Sequence, residues 1–372
     1  MAEATQAPIV EWLKTGGPWG QPPKVVETHA AIVFLVGERA YKLKKAVDLG
    51  YLNFATPERR RATLVRELTL NRRTAPKLYL RTVAVSRASD GAPNLNGEGE
   101  TVDWLLEMRR FADGALLSEK ADRGQLNDAV IEDLAAHVAA FHDGAEIVPA
   151  YDWPKAVARI AEENTRDLRA QLQVFAGAAV ETVIAARERL RAACAATLDA
   201  QSSAVRRCHG DMHLGNVFLD EGRPTLFDCI EFDDFYATIP PLYDIAFLLM
   251  DLLARGAAPL ANRAMNAWFV HRSAESWVSV VESLKALPLY LMLRAEIRAK
   301  TEARKPHGAG SARHYLELAA RFGEVQAPRL LAIGGFSGTG KSSVAKEMAW
   351  RLGTAPGALH LRTDEIRKRL AG

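Results

Sequence analysis

The spacing of apolar residues changes character along the chain. Between about residues 25 and 110, short strand-like runs recur: AIVFLVG at 31–37, AYKLK at 40–44, LYLRTVAVSRA at 78–88 and VDWLLEM at 102–108. Bounded by a Gly-Glu-Arg turn and by SDGAPNLNGEG, these runs predict strands. One helix interrupts them. Thr56-Pro57-Glu58 supplies a capping hydroxyl, a proline at the first helical position and an acid at the positive end of the dipole, so the helix should run to about Arg73. After Phe111 the period lengthens, with Ile131, Leu134, Ala135, Val138 and Phe141 on one helical face and Leu242, Ile245, Ala246, Leu249 and Leu252 on another. This half should be mainly helical, apart from an irregular island at 207–235 that reads loop, strand, turn, strand, loop.

Two further breaks divide the chain. Residues 1–24 hold a short amphipathic piece and then GGPWGQPP, and they read as a lead-in to a strand-rich part at 25–110. Gln326-Ala327-Pro328 closes the helical part, 111–326. Beyond it RLLAIG predicts an apolar strand, followed by a glycine-rich turn and a helix carrying Val344, Met348 and Leu352, so 327–372 should be a second domain.

Composition narrows the class. At 48% hydrophobic and 25% charged residues, the chain is neither disordered, collagenous nor coiled-coil. The 48 basic residues exceed the 45 acidic ones by only three, which gives no reason to expect a nucleic-acid partner. Cys194, Cys208 and Cys229 have no disulfide or zinc-ribbon spacing and favour a reducing compartment. The start lacks a basic stretch followed by an apolar one, and the most apolar run, 245–253, is short and broken by Asp251. A cytoplasmic protein with no membrane partner is expected.

The island carries the first chemical pattern. His209, Gly210, Asp211 and Asn216 spell H-G-D-x-x-x-x-N, and Asp228 follows twelve residues after the asparagine, behind the apolar Phe227. Phosphoryl transfer from ATP needs a carboxylate to take or orient the acceptor's proton, and oxygen ligands to hold Mg2+ on the phosphates. Asp211, Asn216 and Asp228 can supply these. CHGDMHLGNVFL, FDCIEFDD and PPLYDIAFLL closely resemble the corresponding segments of the aminoglycoside phosphotransferase family, the choline and ethanolamine kinase-like branch of the kinase fold. By resemblance Asp211 is the catalytic base, Asn216 and Asp228 are magnesium ligands, His209 orients the base and Asp244 buttresses the loops. Glu231 is a lesser candidate near the metal, and His213 reads as a hydrogen-bonded loop residue.

The strand-rich part should then hold the nucleotide. Kinases use a strand lysine on the α- and β-phosphates, held by a helix glutamate. Strand alternation puts Lys42 and Lys44 on one face. Lys42 is preferred, with a small residue two positions before it, while Lys44 fits the family's offset from a tyrosine; Glu67 is the expected partner. Backbone near 107–110 would meet the adenine edge. No G-x-G-x-x-G precedes Lys42, which argues against a protein kinase and for the small-molecule branch.

The second pattern is GFSGTGKS, G-x-x-x-x-G-K-S, between a predicted strand and a predicted helix. In this context Gly335, Ser337, Gly338, Thr339 and Gly340 wrap phosphates with backbone amides, Lys341 reaches the β- and γ-phosphates, Ser342 ligates Mg2+, and Ser343 adds a donor at the helix start. Downstream, ALHLRTDEIRKRL resembles small P-loop kinases of the gluconate kinase and zeta-toxin type, which would make Asp364 a substrate-activating residue assisted by Arg362 and Arg367. Since 44 residues from Arg329 cannot complete such a fold, the expectation is either part of a longer bifunctional chain or a degenerate domain.

These resemblances imply an α+β, two-lobed protein-kinase-like fold followed by the first part of an α/β P-loop NTPase domain. The expected activity is ATP- and Mg2+-dependent phosphorylation of a small-molecule hydroxyl. One rival is a regulatory pseudokinase coupled to the P-loop site. Another is a nucleic-acid-coupled NTPase, suggested by the basic stretch ERRRATLVRELTLNRR. Asp233 and Asp234 could attract a cationic acceptor.

Overall fold

The computed structural model describes residues 2–28, 30–48, 53–273, 280–324 and 326–371, with side chains described from residue 6 to residue 368. The chain divides into two compact units, 1–116 with 218–234, and 117–217 with 235–372.

The first unit begins with helix α1 (Ala2–Lys14) and continues through β1 (Lys24–Glu27), β2 (Ala31–Val36), β3 (Arg39–Lys44), α2 (Pro57–Asn71), β4 (Tyr79–Arg87), β5 (Pro93–Leu95) and β6 (Glu100–Arg109). The strands form one antiparallel sheet in the order β1-β2-β3-β6-β4-β5. Alternation along each strand gives the sheet two apolar faces. On one, Ile9 and Leu13 of α1 join Ile32, Phe34, Leu43 and Leu105. On the other, Leu64 of α2 joins Ala40, Tyr79, Leu106 and Phe218.

The amphipathic piece before GGPWGQPP is therefore a structural part of this unit rather than a lead-in. Its Gln6 side chain donates to the Lys44 carbonyl (2.9 Å) and Asp103 Oδ2 (2.8 Å) and accepts from the Ala46 amide (2.8 Å). The predicted cap of α2 is present, with Thr56 Oγ1 accepting from Arg59 N at 3.4 Å. Four of the arginines that suggested nucleic acid have partners within this unit. Arg60 is buried on Asp103, Arg66 pairs with Asp234, Arg61 lies 4.5 Å over the Trp104 ring and Arg72 donates to the Tyr79 and Leu80 carbonyls.

The second unit is helical: α3 (Leu117–Asp122), α4 (Asp128–Gly144), α5 (Trp153–Arg169), α6 (Gly177–Ala193) and α7 (Ala195–Ala200). Next come β7 (Arg206–Arg207), the hairpin β8 (Val217–Asp220) and β9 (Arg223–Leu226), most of which belongs to the first unit, and β10 (Thr238–Ile239), which pairs with β7. The chain continues as α8 (Pro241–Ala254), α9 (Ala258–His271), α10 (Leu287–Glu302), α11 (Ala309–Phe322), α12 (Lys341–Ala349) and α13 (Thr363–Ala371). Residues 241–252 of α8 are buried on every side, as a helix apolar all round should be. Among the described residues no helix is long and apolar enough to cross a membrane.

One predicted element does not form. Residues 326–336 have no strand, and Leu330 is 95% exposed. The run at 358–362 is likewise outside any strand. A strand is stabilised by hydrogen bonds to a partner strand, and none is present here among the described residues. The helix after the glycines does form, starting at Lys341 behind a left-handed Gly340 (φ 81°).

Candidate functional site

In the first unit, β3 and α2 bring together a chain of alternating charges. Lys42 Nζ lies 2.7 Å from Glu67 Oε1 and 2.7 Å from Asp228 Oδ1. Lys44 Nζ lies 2.7 Å from Glu67 Oε2 and 2.5 Å from Glu231 Oε1. Both lysines thus share one face, as alternation predicted, and the glutamate between them is fully buried. Burial works against both charges, but Asp228 and Glu67 beside Lys42, and Glu67 beside Lys44, push both ammonium groups up, so they stay protonated. Burial pushes the Glu231 carboxyl up.

Asp228 differs from Glu231 in exposure, its side chain being 41% accessible while Glu231 is enclosed. It sits just past β9 at φ 58°, a left-handed conformation that most side chains resist and that aspartate and asparagine tolerate best after glycine. Its amide donates to Tyr79 Oη (3.1 Å), and the next amide, that of Cys229, donates to Asn71 Oδ1 (2.9 Å). These two bonds hold the kink, which turns the carboxylate toward Lys42. The backbone donors at 109 and 110, expected to meet an adenine edge, are taken instead by the Leu78 and Glu38 carbonyls at 2.8 Å each.

In the second unit, the 209–216 loop is organised from behind. Asp244, at the start of α8 and fully buried, accepts the His209 amide on Oδ2 and the Gly210 amide on Oδ1, both at 2.9 Å. His142 Nε2 lies 3.2 Å from the same Oδ2, and Trp268 Nε1 lies 3.0 Å from His142 Nδ1. An indole can only donate, so Nδ1 accepts and the proton of the neutral ring sits on Nε2, facing Asp244. Burial lowers the His142 pKa, in keeping with a neutral ring. Burial would raise Asp244, yet the His142 hydrogen bond and the nearby His209 and Arg294 hold it at about 2. Arg294 also donates to the Gly210 and Tyr243 carbonyls. His142, Cys208 and Asp244 form a compact buried trio, but both His142 nitrogens are engaged by protein groups, in a hydrogen-bond relay from Trp268 through His142 to Asp244, and the Cys208 thiol donates to the Ile239 carbonyl.

This frame presents Asp211. Its amide donates to His209 Nδ1 (3.3 Å), its Oδ2 accepts from Asn216 Nδ2 (2.9 Å), and His213 Nε2 stands 3.5 Å from that oxygen. Asp211 Oδ1 has no protein partner among the described residues. Low-dielectric surroundings oppose its charge, but His213, His209 and Arg298 outweigh them and hold the carboxyl well below the usual range. Asn216, largely buried, donates with its amide nitrogen to Asp211 and leaves its own Oδ1 as an acceptor. The Asn216 amide oxygen and the Asp228 carboxylate are each hard-oxygen donors of the kind Mg2+ takes.

The sequence reading missed His142, Trp268 and Arg294. His142 was recoverable, because it continues the stripe of Ile131, Leu134, Ala135 and Val138, where a buried histidine calls for a polar partner. Phe141, placed on that face from sequence, is only half-buried. His213 is the hydrogen-bonded loop residue expected, its Nδ1 accepting Gly215 N at 3.0 Å. Asp234 is paired with Arg66, which weakens the case for a cation-attracting pair with Asp233.

At the glycine-rich segment, Gly335 (φ 153°), Gly338 (φ 78°) and Gly340 (φ 81°) adopt conformations that side chains resist, and Lys341 Nζ donates to the Phe336 carbonyl at 2.5 Å. Ser337, Thr339, Ser342 and Ser343 lie in the same exposed stretch. Asp364 pairs with Arg362 at 2.8 Å.

A mixed sheet-and-helix unit with a paired strand lysine and a helical unit with a buttressed H-G-D loop are the two parts of a protein-kinase-like fold of α+β class. The family model of the phosphotransferase enzyme family, APH, matches residues 38–278, and the chain belongs to that family. An uncharacterized protein of Mycobacterium tuberculosis is 31% identical over 362 residues, covering 93% of this chain and 68% of its own length. An uncharacterized protein of Mycobacterium bovis matches equally. Solved structures of similar fold include a choline/ethanolamine kinase family protein from Mesorhizobium loti, with a TM-score of 0.48, 15% identity and coverage of 86% of this chain and 94% of that one. Another is an ethanolamine kinase of Plasmodium vivax, with a TM-score of 0.49, 10% identity and coverage of 80% and 81%.

Proposed function

We propose that the chain transfers the γ-phosphoryl group of ATP to a hydroxyl of a small molecule, with Mg2+ as cofactor. The observation that carries this reading is Lys42 held between Glu67 and Asp228 at 2.7 Å each. Lys42, rather than the enclosed Lys44, is assigned to the α- and β-phosphates, and Glu67 fixes its direction. Lys44 pins Glu231 and keeps the cluster rigid. Asp228 and Asn216 Oδ1 would hold Mg2+, which would supply positive charge against the negative charge that develops on the transferring phosphoryl group. Asp211 Oδ1 accepts the acceptor's proton as the new O–P bond forms and the bond from Pγ to the bridging oxygen breaks, releasing ADP. His209 and Asn216 hold that carboxylate in place, and its low pKa keeps it ionised and ready to accept.

Residues 335–343 are assigned to a second nucleotide site, with the glycine amides and Lys341 on phosphates and Ser342 on Mg2+. The left-handed glycines and the helix starting at Lys341 support this. The test is γ-phosphate transfer over a panel of amino sugars, choline-like alcohols and sugars. Asp211→Asn should abolish transfer, and Lys341→Ala should leave the acceptor profile intact. Nucleotide binding without transfer by the wild type to any acceptor would favour the regulatory pseudokinase instead.

A further inference from the structure

We infer that α12 and the extended stretch after it dock on α4 and α9 so that occupancy of the glycine-rich loop is coupled to the 209–216 loop; this rests on reading residues 335–343 as a nucleotide site. Two independent sets of contacts make the dock. Lys346 of α12 bonds Glu132 of α4 at 2.6 Å, and Glu347 lies 3.5 Å from Arg263 of α9. Arg263, largely buried, also holds Asp128 at 2.7 Å and Glu132 at 3.6 Å. One exposed pair would contribute little, but here a single enclosed guanidinium links three helices.

The second set replaces a missing strand. The Ala358 carbonyl accepts from Asn262 Nδ2 (3.0 Å) and Asn266 Nδ2 (3.2 Å), and the His360 amide donates to Asn266 Oδ1 (2.6 Å). Two side-chain amides one helical turn apart thus satisfy backbone groups that a sheet neighbour would otherwise take. The Ala358 amide returns to the Ala349 carbonyl at the end of α12 (2.8 Å), so helix and extended stretch form one piece. Gly357 (φ 110°) allows this, since a Cβ there would meet Ala349 O at 2.5 Å.

The gripped helices are the ones that hold the H-G-D loop. His142 lies on α4 ten residues beyond Glu132, about 15 Å along the axis. Trp268 lies on α9 two residues beyond Asn266. Trp268 donates to His142, and His142 in turn meets Asp244, which accepts the His209 and Gly210 amides. Close-packed helices shift between discrete arrangements rather than deforming smoothly, so a change at α12 is felt at those amides.

The test uses the full chain with Mg2+ and a non-hydrolysable ATP analogue, measuring stoichiometry by calorimetry and hydrogen exchange at 209–210. Wild type should bind two equivalents. Lys341→Ala should bind one and lose about fivefold of the nucleotide-induced protection. Asn262→Ala/Asn266→Ala should bind two yet show the lower protection, and Lys346→Glu, a separate docking variant at an exposed position, should bind two and shift the same way. Undiminished protection in the docking variants, with two equivalents bound, overturns the coupling and leaves the second site intact. A single equivalent in wild type, unchanged by Lys341→Ala, overturns both.

Discussion

Lys42 of β3 meets Glu67 of α2 at 2.7 Å, and that glutamate is fully buried with a second lysine on its other oxygen. Removing its charge leaves two buried ammonium groups short of an anion. Glu67→Gln should therefore cost about 3 kcal/mol in urea unfolding, in the range for a broken buried pair. Its kcat/KM for Mg·ATP should fall about 100-fold through lost positioning of Lys42.

Lys42→Met and Lys44→Met should separate. The first faces Asp228, whose carboxylate is open, and should raise KM for ATP and lower kcat. The second faces the enclosed Glu231 and should lower stability with a smaller change in kcat. Parallel Tm and steady-state measurements on the two variants decide this, and equal kinetic losses would count against the assignment of Lys42.

Trp268→Phe removes the donor that fixes the His142 tautomer. The expected cost is about 1–2 kcal/mol of unfolding free energy for an unsatisfied buried ring nitrogen. NMR of the labelled imidazole should show Nε2–H in the wild type and a mixture in the variant.

Asp244 has a folded pKa of about 2, below the usual carboxylate value. Its contribution to stability, on the order of 2 kcal/mol, is fully present above about pH 4 and disappears as pH falls toward 2. Acid unfolding of Asp244→Asn should lack that part of the slope. Asp211, held lower still by His213, His209 and Arg298, should leave kcat/KM flat down to pH 5. An acid limb with its midpoint between 5 and 7 would contradict an already ionised base.

Much of this site was legible in the chain because its spacings are local. H-G-D-x-x-x-x-N put Asp211 and Asn216 in one turn, where they share a hydrogen bond, and strand alternation put Lys42 and Lys44 on one face. What escaped depends on distant partners. Residues 329–334 have a strand's composition but no neighbour to pair with among the described residues, whereas α1 looked detachable until Gln6 met Asp103, 97 residues away. His142 was overlooked because its meaning lies in Trp268 and Asp244, over a hundred residues on. What separates Lys42 from Lys44 in the structure is that the carboxylate beside Lys42 is accessible and the one beside Lys44 is enclosed, a property no alternation pattern encodes.

The central claim is tested most directly by transfer of labelled γ-phosphate from Mg·ATP to an acceptor panel, comparing wild type with Asp211→Asn and Asp228→Asn. Both variants keep the side-chain shape, and asparagine tolerates the left-handed backbone at 228. The account predicts phosphorylation of a hydroxyl by the wild type and a loss of at least about 1,000-fold in each variant, with nucleotide affinity weakened mainly in Asp228→Asn. Phosphoryl transfer at wild-type rate by Asp211→Asn would contradict it.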